Sequence, residues 1–197
     1  VIPFFNLARF LPETLGSIAD QSVLPDEVIL IDDGSTDADA ATLVDRLGRE
    51  GRIGAVPMRV IRQPNRGLSA ARNTGLREAR TRWVVPLDAD DLLAPTFIEK
   101  TLTAASREPD ALLVTSWMSC FEDSPQRPTM LFVPVGFERD MLCVANVASS
   151  CTALLDRATV LAAGGYDESL AAFEDWDLYA TLAERADAVG RERGDPG

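Results

Sequence analysis

Apolar and polar positions fall along this chain in alternating blocks of two kinds. Residues 1–5 (VIPFF) are apolar and stop at Asn6; residues 28–31 (VILI) stop at Asp32-Asp33. A weaker run at residues 58–61 stops at Pro64-Asn65-Arg66-Gly67, and residues 83–87 (WVVPL) stop at Asp88-Ala89-Asp90-Asp91. Bounded apolar runs of this length predict buried strands of a parallel sheet. Between them the apolar positions take helical spacing: Leu7, Phe10, Leu11, Leu15 and Ile18, then Leu43, Val44 and Leu47, then Leu68, Ala71, Leu76 and Ala79. Pro12 suits a first helical turn, Pro25 breaks the first helical pattern, and residues 32–37 (DDGSTD) supply turn and capping chemistry.

Strand and helix alternate four times, which predicts an α/β fold, doubly wound, with a mainly parallel sheet flanked by helices. In such sheets ligands bind beyond the carboxyl ends of the strands, so Asn6, Asp32-Asp33, Asn65 and Asp88 to Asp90 are expected to line one crevice. Pro86 lacks a ladder donor, a loss tolerable only near a strand's end. Downstream, the pattern predicts a helix from after Pro95 to about Ser106 and a strand over residues 111–118. A loop-rich excursion with Pro125, Pro128 and Pro134 follows over residues 121–140. A short strand is expected at residues 153–155 and a helix at 157–162, closed by Gly164-Gly165. Phe173-Glu174-Asp175-Trp176-Asp177 opens a last helix with Leu178, Leu182 and Ala186 on one face, and the polar tail from Gly190 reads as frayed.

Composition narrows the chemistry. A chain of 197 residues, 46% hydrophobic, is long enough to bury a sizeable core. Its net charge of −12 argues against a nucleic-acid or anionic-membrane surface. It contains no histidine, which removes imidazole bases, Ser-His-Asp and Cys-His catalysis, and His-ligated zinc. A general base is therefore expected to be a carboxylate ahead of Tyr, Cys or the single lysine, Lys100. Cys120, Cys143 and Cys151 are odd in number and fit neither a zinc site nor a disulfide framework. They read as buried thiols of a reducing, cytoplasmic compartment. No apolar run reaches transmembrane length and no signal peptide is visible. Val1-Ile2-Pro3 lacks an initiator Met and looks like the second half of a strand, so a fragment is expected. Membrane association, at the inner face, is left to segments outside this chain.

Two acidic clusters carry candidate chemistry. On an extended segment Asp88 and Asp90 point the same way, and convergent hard oxygens suit Mg²⁺ or Mn²⁺ shared with substrate phosphates. The alternative is a solvated acidic turn capping the next helix. Glu174, Asp175 and Asp177 offer a base, or merely the preference of acidic side chains for helix N-termini.

Pro3-Phe4-Phe5-Asn6, VILIDDGST at residues 28–36, Asn65-Arg66-Gly67 with Ala71-Arg72-Asn73-Thr74-Gly75, Leu87-Asp88-Ala89-Asp90-Asp91 and Phe173-Glu174-Asp175-Trp176-Asp177 occur in that order. Together they strongly resemble the family-2 glycosyltransferases, whose GT-A fold is a Rossmann-like α/β domain. The resemblance runs from residue 1 to about residue 186. It implies a nucleotide-sugar donor, most often UDP-linked, an acceptor saccharide or other hydroxyl compound, a Mn²⁺ or Mg²⁺ ion, and a role in cell-surface polysaccharide synthesis. It implies inverting transfer, with residues 1–110 as the nucleotide-sugar-binding half and 111–197 as the acceptor-binding half of one domain. Position by position, it places Pro3 and Phe5 at the base pocket, with Phe5 replacing the usual Tyr. Asp33 is placed on the nucleobase, and Gly67 and Arg72 near the nucleotide, with Arg72 alternatively meeting the carboxylates. Asp88 and Asp90 are the Asp-x-Asp metal and donor ligands, and Asp175 is the catalytic base. Trp176 either lines the acceptor pocket or packs on the core. Many relatives carry a metal-binding His beyond the Glu-Asp helix; this chain has none. A catalytically degenerate module that only binds nucleotide sugar is the alternative.

Three other classes fit less well. A receiver domain needs a lysine at a later strand end, and Lys100 lies in a helical pattern. A dehalogenase-type phosphatase carries Asp-x-Asp on its first strand, and a nucleotidyltransferase carries a Gly-rich, Arg-bearing loop there. Neither feature is present.

Overall fold

The structure, a computed structural model, describes residues 1–122, 124–134, 136–137, 139–146 and 152–193, with side chains as far as residue 186. Cys151 and the last four residues of the tail lie outside the described residues. The first three apolar runs form β1 (Ile2–Phe4), β2 (Val28–Asp32) and β4 (Val56–Arg62), paired in parallel in the order β1-β2-β4. Every residue of β2 is buried because it lies between two strands and beneath helices on both faces. β4 is only partly covered, being bordered by the two-residue β3 (Arg52–Ile53), which matches the weaker sequence signal. β3 itself is not visible in the hydrophobic pattern; it turns back through Gly54 at φ 55°.

The run at residues 83–87 behaves in two ways. β5 (Trp83–Val84) pairs antiparallel with β9 (Leu154–Asp156), which in turn pairs antiparallel with β6 (Leu113–Val114). The pairing with β9 ends before Pro86, which has no N–H to offer. On the other side, the Val1 amino group donates to Val85 O and Leu87 N donates to Val1 O, both at 2.9 Å. These bonds join β5 to β1, so a parallel centre is flanked by antiparallel strands at both edges.

The helices fall on the two faces as the alternation predicts. Side chains of period two send Ile2, Phe4, Val28 and Leu30 to one face. There they meet α1 (Leu11–Ala19), α2 (Ala38–Glu50) and α4 (Phe97–Arg107). Ile29 and Ile31 face the other way, onto α3 (Leu68–Glu78), α6 (Arg157–Ala163) and α7 (Glu174–Arg193). The second core joins Ile29 and Ala71 to Leu142, Leu178 and Tyr179. Packing therefore runs across residue 110 without a break.

Four expectations are corrected. The strand expected over residues 111–118 is β6 followed by a separate β7 (Met118–Cys120). The loop-rich excursion contains β8 (Met130–Phe132), paired antiparallel with β7, and α5 (Arg139–Leu142). The last helix runs through Gly190 to Arg193. Cys120 is half-buried and Cys143 exposed, because the hairpin and the segment after α5 sit on the surface. Among the described residues no helix is long and apolar enough to cross a membrane.

Glycine is required where the loops after β2 and β4 meet. Gly34 has φ 72°, and a Cβ there would lie 2.6 Å from the backbone N of Asn65. Gly34→Ala is expected to cost about 2 kcal/mol from left-handed strain plus contact, lowering the thermal midpoint by roughly 4–8 °C. Gly16, inside α1 with nothing within 4 Å of its Cβ position, is the control: Gly16→Ala should stabilise by about 0.5–1 kcal/mol. Thermal melts of the two variants check both signs.

Candidate functional site

At the end of β1 the chain turns through Asn6, whose φ of 57° is left-handed and tolerable for Asn. Its Oδ1 accepts hydrogen bonds from the amides of Thr36 and Asp37, each at 2.9 Å, and its Nδ2 donates to Thr36 Oγ1 at 3.2 Å. Asn6 thus caps the approach to α2 from another loop, where the Asp37 side chain makes no cap bond.

Asp33 organises the next strand end. It is buried, and its Oδ1 accepts from Gln63 Nε2 at 2.7 Å and Arg66 N at 3.0 Å, while Oδ2 accepts from Gly67 N at 2.8 Å. The Gln63 amide is oriented in turn by Thr74, whose hydroxyl donates to its Oε1 at 2.7 Å. Asp32 turns elsewhere, accepting from Ser35 N and pairing with Arg62.

These loops enclose a cleft of about 440 Å³. Pro3, Phe5, Asp33, Asn65, Gly67, Asp88 and Asp90 all line it, so three of the four strand-end clusters meet there. Asn6 serves as the cap instead. Phe5 and Asp90 are exposed, and Asp88 is half-buried. Thr14, buried in α1, donates to Ala89 O at 2.8 Å and ties the acidic loop to the core.

Arg72 does not line the cleft. It is 1% exposed and lies beneath the acidic loop, donating from Nη2 to Asp88 Oδ1 at 2.7 Å and from Nη1 to Glu174 Oε1 at 2.5 Å. Its guanidinium carbon sits 5.3 Å from the centre of the Tyr166 ring. The meeting with carboxylates, one of two readings open from sequence, is the contact present.

Asp175 stands apart from the cleft lining, in the first turn of α7, with Asn146 Nδ2 3.4 Å from its Oδ2. Burial, with the Glu174 charge adding to it, raises its pKa above the usual carboxylate value. Trp176 packs against the core, its Nε1 donating to Leu142 O at 2.5 Å, and meets Phe173 edge-on. Asp177 is exposed.

Gln63, Asn73, Tyr166 and Glu168 were given no role from sequence. Asn73 accepts from Tyr166 N and donates to Tyr166 O, both at 2.8 Å, and also reaches Glu168. Glu168 pairs with Arg66 at 2.6 Å, so the loop after β4 is latched to the loop between α6 and α7. Asn73 stands inside the quoted Ala-Arg-Asn stretch, which was the available signal.

A second, larger cleft of about 650 Å³ begins at Asp91 and runs between α1 and the β7–β8 hairpin. Glu13, Asp20, Trp117, Phe121 and Gln126 are among its walls, and Trp117 is exposed.

Among the described residues no group of three or more Asp, Glu, Cys or His is placed to hold a metal ion. Asp88 and Asp90 nevertheless offer two hard oxygen donors on the cleft wall. Asp91 has its pKa pushed up to about 6 by burial and then by the charges of Asp88 and Asp90. That field is one a divalent cation relieves. The donor set fits Mg²⁺ or Mn²⁺ when substrate phosphate completes the coordination.

A parallel-centred α/β sheet with this cleft at its strand ends defines a GT-A domain. Residues 1–349 of S. aureus TarS, solved with UDP-GlcNAc, superpose with a TM-score of 0.71 at 20% identity over 92% of this chain and 52% of that fragment. The mannosyltransferase PcManGT of Pyrobaculum calidifontis, solved with GDP-Man and Mn²⁺, gives 0.61 at 25% identity over 92% of this chain and 50% of that protein. The profile of glycosyl transferase family 2 matches residues 1–155, and the chain belongs to that family. The uncharacterised glycosyltransferase EpsJ of Bacillus subtilis is 33% identical over 54% of this chain and 30% of its own length. The chondroitin synthase of Escherichia coli is 27% identical over 93% of this chain. The chain spans only 30% and 26% of the lengths of these two relatives.

Because the folded-state pKa of Asp175 is raised, its ionised form opposes folding. Wild type is favoured fully below the unfolded carboxylate value of about 3.9 and loses that contribution as pH rises through the folded value. Asp175→Asn should therefore melt higher than wild type at pH 7, with the advantage vanishing by about pH 3.5, below that unfolded value. Melting curves across pH check it.

Proposed function

We propose that this domain transfers a sugar from a nucleotide-diphosphate sugar, UDP-linked, to an acceptor hydroxyl in one inverting displacement. The supporting observation is the single cleft shared by Pro3, Phe5, Asp33, Gly67, Asp88 and Asp90. On this reading Pro3 and Phe5 flank the base, and Asp33 meets it with an orientation already fixed by Gln63 and two loop amides. UDP is favoured by TarS, whose structures include complexes with UDP and UDP-GlcNAc. A cation is favoured by the Mn²⁺ in PcManGT. Asp88 and Asp90 would hold Mn²⁺ or Mg²⁺ with the diphosphate; the bound ion screens the phosphates from the acidic wall and offsets charge on the leaving nucleotide.

Residues 1–110 form the nucleotide half in this reading, and 111–197 the acceptor half. The acceptor is assigned to the second cleft, where the exposed Trp117 offers a face for a sugar ring and Gln126 a polar edge. Asp175 takes the proton of the attacking hydroxyl. Its raised pKa makes it a better base than an ordinary carboxylate, so long as the pH keeps it ionised. No separate nucleophile is assigned, which favours one displacement over a covalent intermediate.

UDP is expected to bind more tightly with Mn²⁺ than in chelator for wild type, and equally weakly in both for Asp90→Ala. Calorimetry in the four conditions decides it, and equal affinity throughout removes the cation from the reading. Asp175→Asn should retain UDP binding while transfer falls by roughly 10²–10⁴-fold. Loss in Asp177→Asn instead moves the base by half a turn, and intact wild type that binds UDP without ever consuming a UDP-sugar is the degenerate binder. NMR of the first-formed product should show inverted anomeric configuration.

A further inference from the structure

We propose that Arg72 and Glu174 are positioning residues forming a clasp that couples the cation-binding loop to the helix carrying the base. The inference rests on the donor and cation reading of the cleft given above. Neither residue lines that cleft, yet Arg72 touches both sides of the chemistry assigned to it. One nitrogen holds Asp88 Oδ1 at 2.7 Å, and the other holds Glu174 Oε1 at 2.5 Å, the residue next to Asp175. A guanidinium is a rigid planar fork, so a shift of one carboxylate is felt at the other.

Two observations argue that the clasp is more than a structural ion pair. First, Arg72 is 1% exposed and Glu174 9% exposed. Burying such charges costs several kcal/mol per ion before their attraction is counted, so stability alone is a poor reason for the arrangement. Second, α7 begins immediately after Phe173, which holds a left-handed φ of 64° and is 69% exposed. A bulky non-glycine residue stays in that region only where its surroundings over-determine it. Glu174 on Arg72 and Trp176 on Leu142 O are two anchors beside it. The start of α7, and with it Asp175, is thus tied to Asp88 through Arg72 in addition to its helix packing.

The electrostatic consequence has a definite sign. Glu174 neutralises part of the Arg72 charge. With Glu174 made neutral, the whole guanidinium charge acts on Asp88 and opposes a cation there. Calorimetry of UDP with Mn²⁺ and in chelator is the test, read as the ratio of the two dissociation constants. Glu174→Gln keeps the shape and should lower the ratio of the chelator to the Mn²⁺ dissociation constant by about 3- to 10-fold, the order of coupling within one ion-pair network. Arg72→Lys keeps the charge but reaches only one carboxylate, and serves where the Gln variant does not fold. It should also reduce the Mn²⁺-dependent gain. On an Asp88→Asn background, Glu174→Gln should lose most of its effect. A folded Glu174→Gln or Arg72→Lys protein with the wild-type ratio overturns the clasp while leaving the donor reading intact. Wild type that binds no UDP in either condition removes the donor reading and the clasp with it.

Discussion

The carboxylate of Asp33 is buried at the end of the central strand and accepts from one side-chain amide and two backbone amides of the loop after β4. Much of the cleft depends on this interaction. The loop carries Asn65 and Gly67 to the wall and delivers the chain into α3 at Leu68. The first turns of α3 then present Arg72 and Asn73 to opposite tasks, one under the acidic loop and one on the Tyr166 loop. A buried carboxylate left without such partners would cost several kcal/mol. The hydrogen bonds that satisfy it also fix the loop's path, so folding and site preparation share one set of contacts.

The acidic wall poses the opposite problem. Asp88, Asp90 and Asp91 follow one another with Arg72 below them, and burial, with the charges of Asp88 and Asp90 adding to it, pushes Asp91 up to about 6. Arg72 cannot neutralise the wall because it is shared with Glu174. The remaining negative charge faces a cleft proposed to receive a diphosphate, a combination that is repulsive unless a cation enters with it. That is the physical reason the cation reading follows from this wall.

Much of the fold was legible because its strands are buried on both faces and its helices on one. Residues 28–31 read as a central strand from apolar content alone, and β2 is buried throughout. The cleft was legible for a related reason: parallel strands carry their polar terminators to one edge. What escaped were features whose partners are remote or whose sequences are short. Asn73 meets a loop 93 residues away, and its amide carries no pattern that announces it. β3 has two residues, and the β7–β8 hairpin has surface-exposed apolar side chains at Met130, Leu131 and Phe132 that give no alternation to read. Arg72 could be seen near the nucleotide or near the carboxylates, and only the tertiary contacts that bring Asp88 and Glu174 to its guanidinium decide between them.

The two candidate carboxylates at the reaction centre are held by different means, and the difference suits their assigned tasks. Asp88 is paired with the buried Arg72 guanidinium at 2.7 Å, which fixes its orientation, as the proposed metal-ligand role requires. Asp175 has the Asn146 amide 3.4 Å from its carboxylate and has its pKa raised by burial, as the proposed proton acceptor requires. Glu174, between them in the chain of contacts, takes the arginine and leaves its neighbour to the proton. On the proposed reading the neighbouring residues Glu174 and Asp175 divide one pair of acids into a structural member and a chemical one, and the pairing of Arg72 with Glu174 makes the division.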